Sequence, residues 1–474
     1  MVVLDLFSGA GGLSEGFWRQ GCTFVGHVEA DVNACNTLKT RTAYWNLKNK
    51  NKLDIYYRYL KQEISRDDLW NLANIDILKD VINKEIGEET YSNIKEQIKE
   101  NLKNKNLLNV DVIIGGPPCQ AYSIMGRASL GEKVKDDPRN QLFKYYVKFL
   151  KDFRPKMFVF ENVEGFYSAG KGKYFEELKK AVDKAGYYMQ DKLLTASDFG
   201  VLQSRKRVII IGWKKSLKKK CFYPEFEKIN LEEKVPSYNS VFDILDDLPP
   251  IELSPDPKVI NEVRGENKYI NISNEYLEFS KIRTKNFNIL THHIARYNNE
   301  NDREIYSIAL DKWFNENHRL QYNEIPIRLQ RHKNKNANQN RFNVIKANEK
   351  IVNTIVAHIS IDGHYYIHPD KKQLRSLSVR EAARIQSFPD DFYFEGSRTA
   401  TFKQIGNAVP PLMGENIAIH IKKQLESIKN KEKRKIDLTN NNFYYSNIEE
   451  KICEKIKNIS IYREKSTMQL FVNK

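Results

Sequence analysis

No stretch of the 474-residue sequence approaches the ~20 consecutive apolar residues of a membrane-crossing helix. Transmembrane helices are therefore excluded from its architecture. Cysteine is sparse: Cys22, Cys35, Cys119, Cys221 and Cys453 are scattered, odd in number and never spaced as CxxC. That pattern argues against a disulfide framework and against a zinc site, so no metal is expected and a reducing cytoplasm is the expected compartment. The sequence also lacks GxGxxG and GK[ST], which sets aside the dinucleotide fingerprint and the P-loop. Its opening, "MVVLDLF", carries no basic flank and no small-residue cleavage site, and is not read as a signal peptide. No internal repeat is present. Acidic residues are outnumbered, 61 against 77 lysines and arginines, for a formal charge of +16. Such an excess suits a polyanionic partner, although a chain rich in Lys, Asn and Ile reaches it by codon bias as well.

What is present is a series of short, continuous apolar runs: "VVLDLF" (2–7), "TFVGHV" (23–28), "DVIIG" (111–115), "KMFVFE" (156–161) and "RVIIIGW" (207–213). Runs of this kind suit strands buried on both faces of a parallel sheet. Helical patterns over 140–153 and 173–186 lie between them. The alternation predicts a doubly wound, Rossmann-like α/β sheet. A long segment, about 36–108, reads as a mostly helical insertion, with Leu60, Ile64, Leu72, Ile75, Leu78, Ile82 and Ile86 recurring at helical spacing. From 214 to 375 the alternation is lost, prolines bunch and basic text follows, which predicts a second, smaller and irregular domain. Regular structure returns over 376–424, with Ser378 and Glu381 as a capping box and a last helix after Pro410–Pro411. Residues 425–474 read as a basic, partly disordered extension.

Four polar features fall at the carboxyl ends of predicted strands, the edge where open α/β sheets bind ligands. They are the glycine turn "FSGAGG" (7–12), Glu29, Cys119 behind "GGPP", and Glu161. Glycines at 9, 11 and 12 allow close approach of a ligand to the backbone, and Glu29 is placed to take the two hydroxyls of a ribose. A cysteine after Gly-Gly-Pro-Pro is held on a stiff turn rather than packed in a core.

These residues belong to ordered blocks: "DLFSGAGGLSEGF", "GGPPCQAYS", "FENV", "QSRKRVIIIGW", "SVREAARIQSFPDDF" and "IGNAVPP". In that order they resemble the DNA (cytosine-5) methyltransferases, of the bacterial restriction–modification type, and they span both ends of the chain. The resemblance implies an S-adenosylmethionine-dependent methyltransferase sheet, with 214–375 as the variable target-recognition domain. It implies that Cys119 attacks carbon 6 of a cytosine flipped out of double-stranded DNA. Glu161 would contact ring nitrogen 3 and the amino group, which calls for a raised pKa; Arg205 or Arg207, with Arg207 favoured, would hold the base carbonyl. Phe7, Gly9, Gly11, Gly12, Glu29, Pro117 and Asn407 carry over as cofactor contacts. Gln203, Ser123, Arg127 and Arg139 carry over toward DNA, the last three on a loop, 121–140, that would close as a lid about Gly126 and Gly131. The family also places an acid after its third strand to meet the adenine amino group; the insertion obscures it, and Asp76 of "NIDIL" is the candidate. A monomer is expected, alongside a restriction endonuclease that acts independently. Three other readings remain: an RNA cytosine-5 methyltransferase of the tRNA-modifying branch, a non-catalytic DNA-binding relative, and a nicotinamide oxidoreductase. The 162-residue middle segment favours the first reading over the RNA branch, and retention of Cys119, Glu161 and the arginines favours it over a non-catalytic relative.

Overall fold

The computed structural model describes residues 1–118, 141–217, 221–252, 254, 256, 258, 259, 261–271, 273–331, 341–346 and 348–430. Its centre is a seven-stranded sheet ordered β3-β2-β1-β4-β5-β7-β6. The strands are β1 (Val2–Leu6), β2 (Thr23–Glu29), β3 (Val81–Asn83), β4 (Val112–Gly115), β5 (Met157–Asn162), β6 (Tyr187–Thr195) and β7 (Lys206–Lys214). The first five run parallel. Their apolar runs are buried on both faces, which explains the absence of alternation in the sequence. On one face Leu4, Leu6, Val25, Ile113, Phe158 and Phe160 form a core with the helices Glu88–Asn104, Leu142–Phe153 and Lys173–Lys184. The doubly wound α/β expectation holds.

Three details differ from the sequence reading. The run 207–213 is not a parallel strand: β7 lies antiparallel to both β5 and β6. Burial on both faces produces a continuous apolar run whichever way a strand points. The segment 36–108 is not one helical face either. It divides into helices Val32–Asn49, Leu53–Leu60, Arg66–Ala73 and Glu88–Asn104, with β3 between the last two. Leu72 and Ile75, which helical spacing assigns to the apolar stripe, are 53% and 57% exposed, because the stripe crosses several elements. The middle segment, finally, is more regular than its text suggests. It holds an antiparallel pair of strands, β8 (Glu262–Glu266) and β9 (Ile289–Ile294), and a 17-residue helix, Glu300–Glu316, capped by Asn299. That helix packs on Leu320, Tyr322, Phe342 and Ile367.

Residues 1–420 form one compact unit and 421–474 a second. In the first, 411–420 are helical from Pro411 onward; of the second, 421–430 are described and helical, and the rest of the predicted basic extension lies outside the described residues. The Ser378–Glu381 capping box is present: Glu381 N donates to Ser378 Oγ at 3.1 Å and Ser378 N to Glu381 Oε2 at 2.6 Å. Among the described residues no helix is long and apolar enough to cross a membrane, and no cluster of His, Cys, Asp and Glu could hold a metal ion.

Candidate active site

The parallel strands end along one edge, and the chain turns there in three places. After β1, Phe7 and Gly9 both take left-handed backbone conformations, at φ 58° and 55°, and Gly11 caps the helix Gly12–Arg19 at φ 81°. A bulky residue such as Phe7 in that region costs free energy and recurs at ligand-binding turns. The turn is fastened to β2: Gly9 N donates to Glu29 Oε2 at 2.8 Å, while Ala30 N and Asp31 N donate to Oε1 at 2.9 and 2.8 Å. Burial pushes the Glu29 carboxyl upward, and these three backbone donors oppose it. With one donor on Oε2, a second lone pair of that oxygen remains available to a hydroxyl. Among the described residues, a Cβ at Gly9 would meet nothing within 4 Å.

Gly12 has a different task. A Cβ there would overlap Val409 O and lie 3.0 Å from Ala408 Cβ. The glycine turn therefore meets the segment that follows the helix Arg398–Asn407, whose last residue, Asn407, is exposed. Residues 408 and 409 are thus brought against Gly12 from the opposite end of the sequence, and Asn407 immediately precedes them. The turn at Gly9, with the Glu29 carboxylate at its rim, offers donors and acceptors that suit a nucleoside bearing a ribose diol.

Asp76 does not join them. It lies in the 3-10 turn Ile75–Asp80, before β3, 70% exposed and paired with Lys79 at 2.9 Å. Asn83 ends β3 opposite Glu29 and its amide donates to Glu29 O and Ala30 O at 3.2 and 3.0 Å. The acid that follows the strand is the exposed Glu85. The sequence reading does not find β3, because a three-residue strand inside a helical insertion gives almost no periodic signal; the apolar pair Val81–Ile82 is its one local mark.

The second pair of turns follows β4 and β5. Gly116 and Pro117 leave β4 beside Glu161, and Asn162 Nδ2 donates to Pro117 O at 3.3 Å. A Cβ at Gly116 would overlap the Glu161 carboxylate, so glycine is required by the close approach of these two turns. Arg207, at the start of β7, pairs with Glu161: Nε lies 2.7 Å from Oε1, and the two side chains are 12% and 14% exposed. The carboxylate and guanidinium thus stand at the sheet edge beside the Gly-Gly-Pro-Pro turn. Cys119, Ser123, Arg127 and Arg139, with the rest of the expected lid, lie outside the described residues.

Arg205 and Gln203 point elsewhere. Arg205 is fully buried, and its Nη1 and Nη2 donate to Ile355 O at 2.7 Å and Gly406 O at 3.1 Å. Gln203 is equally buried; its Nε2 donates to Ile385 O at 3.0 Å and to Gln386 Oε1, and its Oε1 accepts from Ile355 N. Both side chains clamp Ile355 and the return segment in place, and their hydrogen bonds run to the protein itself.

The chain matches the family model described as C-5 cytosine-specific DNA methylase over residues 1–79 and 70–423. It is 40% identical over 451 residues to the type II methyltransferase M.Bpa9945I of Bacillus paralicheniformis, covering 89% of this chain and 98% of the relative. It is 29% identical to the type II methyltransferase M1.HphI of Haemophilus parahaemolyticus, covering 88% and 86%. A prophage-encoded E. coli protein described as a DNA modification methyltransferase shares the fold, with a TM-score of 0.57, 24% identity and coverage of 90% and 99%. With family model, length and sheet in agreement, the chain belongs to the C-5 cytosine-specific DNA methylase family.

Proposed function

We propose that the protein methylates carbon 5 of a cytosine within a specific sequence of double-stranded DNA, through a covalent adduct on Cys119, as the modification enzyme of a restriction–modification system. The Glu161–Arg207 pair beside the Gly-Gly-Pro-Pro turn is the observation that carries this reading. Carbon 5 of cytosine is a poor nucleophile until an electron pair enters the ring at carbon 6. A thiolate at Cys119 supplies that pair, and the positive charge of Arg207 near the turn favours the thiolate. Arg207 also presents donors to the carbonyl oxygen of the base, while Glu161 meets ring nitrogen 3 and the amino group. The Glu161 carboxylate held against nitrogen 3 would favour protonation of that nitrogen, which draws charge through the ring as the carbon–sulfur bond forms. Once carbon 5 carries the methyl group, loss of its proton to solvent and departure of the sulfur from carbon 6 as a thiolate restore the aromatic ring, and the proton on nitrogen 3 is released.

The cradle of Phe7, Gly9, Glu29 and Asn407 fits S-adenosylmethionine, which supplies an electrophilic methyl group when bound. Glu29 would accept from the ribose hydroxyls, Phe7 would face the adenine, and Glu85 replaces Asp76 as the acid for the adenine amino group. Arg205 and Gln203 act as clamps of the scaffold and take no part in base binding. Residues 214–350 would read the DNA sequence, while 352–375, tied to Gln203 and Arg205, belong with the catalytic scaffold. Bisulfite sequencing of DNA from cells expressing the protein tests the reading. Protected cytosines at one short motif support it, and uniform conversion contradicts it.

A further inference from the structure

Two arginines meet in a notch that the site above does not use. Ile251, Glu252, Asn261, Arg296, Asn298 and Arg398 are among its lining. Arg296 is committed: Nη1 donates to Ile361 O at 2.7 Å and Nη2 to Ile359 O and Ser360 O at 3.0 and 2.9 Å. Arg398 is only half committed. Its Nη1 donates to Ala295 O at 3.0 Å, while its Nε is buried with no hydrogen-bond partner among the described residues. Among the described residues neither guanidinium is in an ion pair, and Glu252, the carboxylate of the lining, pairs with neither. Burial and the charge of Arg296 both push the Arg398 guanidinium below its ordinary pKa. Two like charges side by side, one of them with an orphaned donor, cost free energy that a bound anion offsets.

We propose that this notch holds a phosphate of the DNA backbone, gripped by Arg398 and backed by the charge of Arg296. The proposal rests on DNA being the substrate. Guanidinium donors suit phosphate oxygens better than a point charge does. The position in the fold agrees. Arg398 begins the helix whose far end, at Gly406, packs against Ala357 beside Asn407. At 1.5 Å per residue the two ends are about 12 Å apart. That is roughly three to four steps of 3.4 Å along a duplex, within reach of DNA whose target base is at the sheet edge.

The test uses Arg398→Gln, which removes the charge but can still donate to Ala295 O, and Arg398→Lys, which keeps the charge. Dissociation constants for a duplex carrying the methylated motif are measured between about 50 and 200 mM salt, with cofactor affinity and thermal midpoint as controls of folding. For R398Q the slope of log affinity against log salt should shrink by about 0.9, so affinity falls about 3.5-fold less than wild type over that range. R398K should keep most of the slope. An R398Q slope equal to wild type overturns the notch, as does a reduced slope accompanied by collapse of cofactor affinity. A wild type that binds DNA without salt dependence removes the proposed function and the notch with it.

Discussion

Substitution of Gly116 by alanine isolates the contact on which the catalytic reading depends. An ideal Cβ at this position would lie 2.8 Å from Glu161 O and nearer still to Glu161 Oε2, whereas real Cβ atoms do not approach within 3.0 Å. The backbone of Glu161 is fixed, because β5 is hydrogen-bonded opposite Ile209 of β7. The carboxylate can rotate away from Arg207, but the contact with the fixed carbonyl is relieved only by displacement of the turn that leads to Cys119. Either movement is about 0.5–1 Å, and a misplacement of 1 Å at reacting groups costs on the order of 10²-fold in rate. That corresponds to about 2.7 kcal/mol in the barrier. Overpacking should cost a further ~1–3 kcal/mol of stability. Single-turnover methyl transfer to duplex DNA is the assay, with cofactor affinity as the control for the intact cradle. A folded G116A protein that retained more than about a third of wild-type activity would refute the proposed apposition of Glu161 and the turn.

Other substitutions separate chemistry from scaffold. Arg207→Lys should lower kcat/KM by at least about tenfold with cofactor affinity unchanged, since an ammonium cannot reproduce the guanidinium fork; equal activity would count against a role at the base. Arg205→Met should strand the carbonyls of Ile355 and Gly406 and destabilise the fold by about 2–5 kcal/mol in urea unfolding. A loss below about 1 kcal/mol would contradict the clamp. Burial depresses His293 to about 4, so the folded chain refuses a proton that the unfolded chain takes up near 6.5. Its contribution, a few kcal/mol at most, is full above about pH 6.5 and declines toward pH 4; unfolding free energies at pH 7.5 and 5 should differ in that direction, and less so in His293→Asn. A chimaera that exchanges about 225–350 for the segment of a relative, leaving 352–375 in place, should methylate the relative's motif with cofactor affinity retained. Continued methylation of the original motif would place sequence reading elsewhere.

Strands buried on both faces, the glycine turn and the Ser378–Glu381 capping box were legible because each leaves a local mark of composition or spacing. Strand direction leaves none, so β7 was read as parallel, and a strand as short as β3 vanished among helices. The roles of Arg205 and Gln203 were hidden for another reason. Both stand in the same short block as Arg207, yet their partners, Ile355, Ile385 and Gly406, are 150 or more residues away. Which arginine faces the sheet edge and which is buried depends on that long-range packing. The helix Glu300–Glu316 was missed because its buried face, Ile305, Tyr306, Ala309 and Leu310, is narrow and its text is otherwise polar.

The most direct test of the central claim is a covalent trap. DNA containing the methylated motif with 5-fluorocytosine at the target position cannot lose its carbon-5 substituent as a proton, so the adduct should persist. With S-adenosylmethionine present, the wild-type protein should form a denaturant-resistant complex with this DNA, and the cross-linked peptide should contain Cys119. Cys119→Ser should form none while still binding cofactor. Absence of the complex with wild type, or its attachment at any other residue, would contradict covalent catalysis by Cys119.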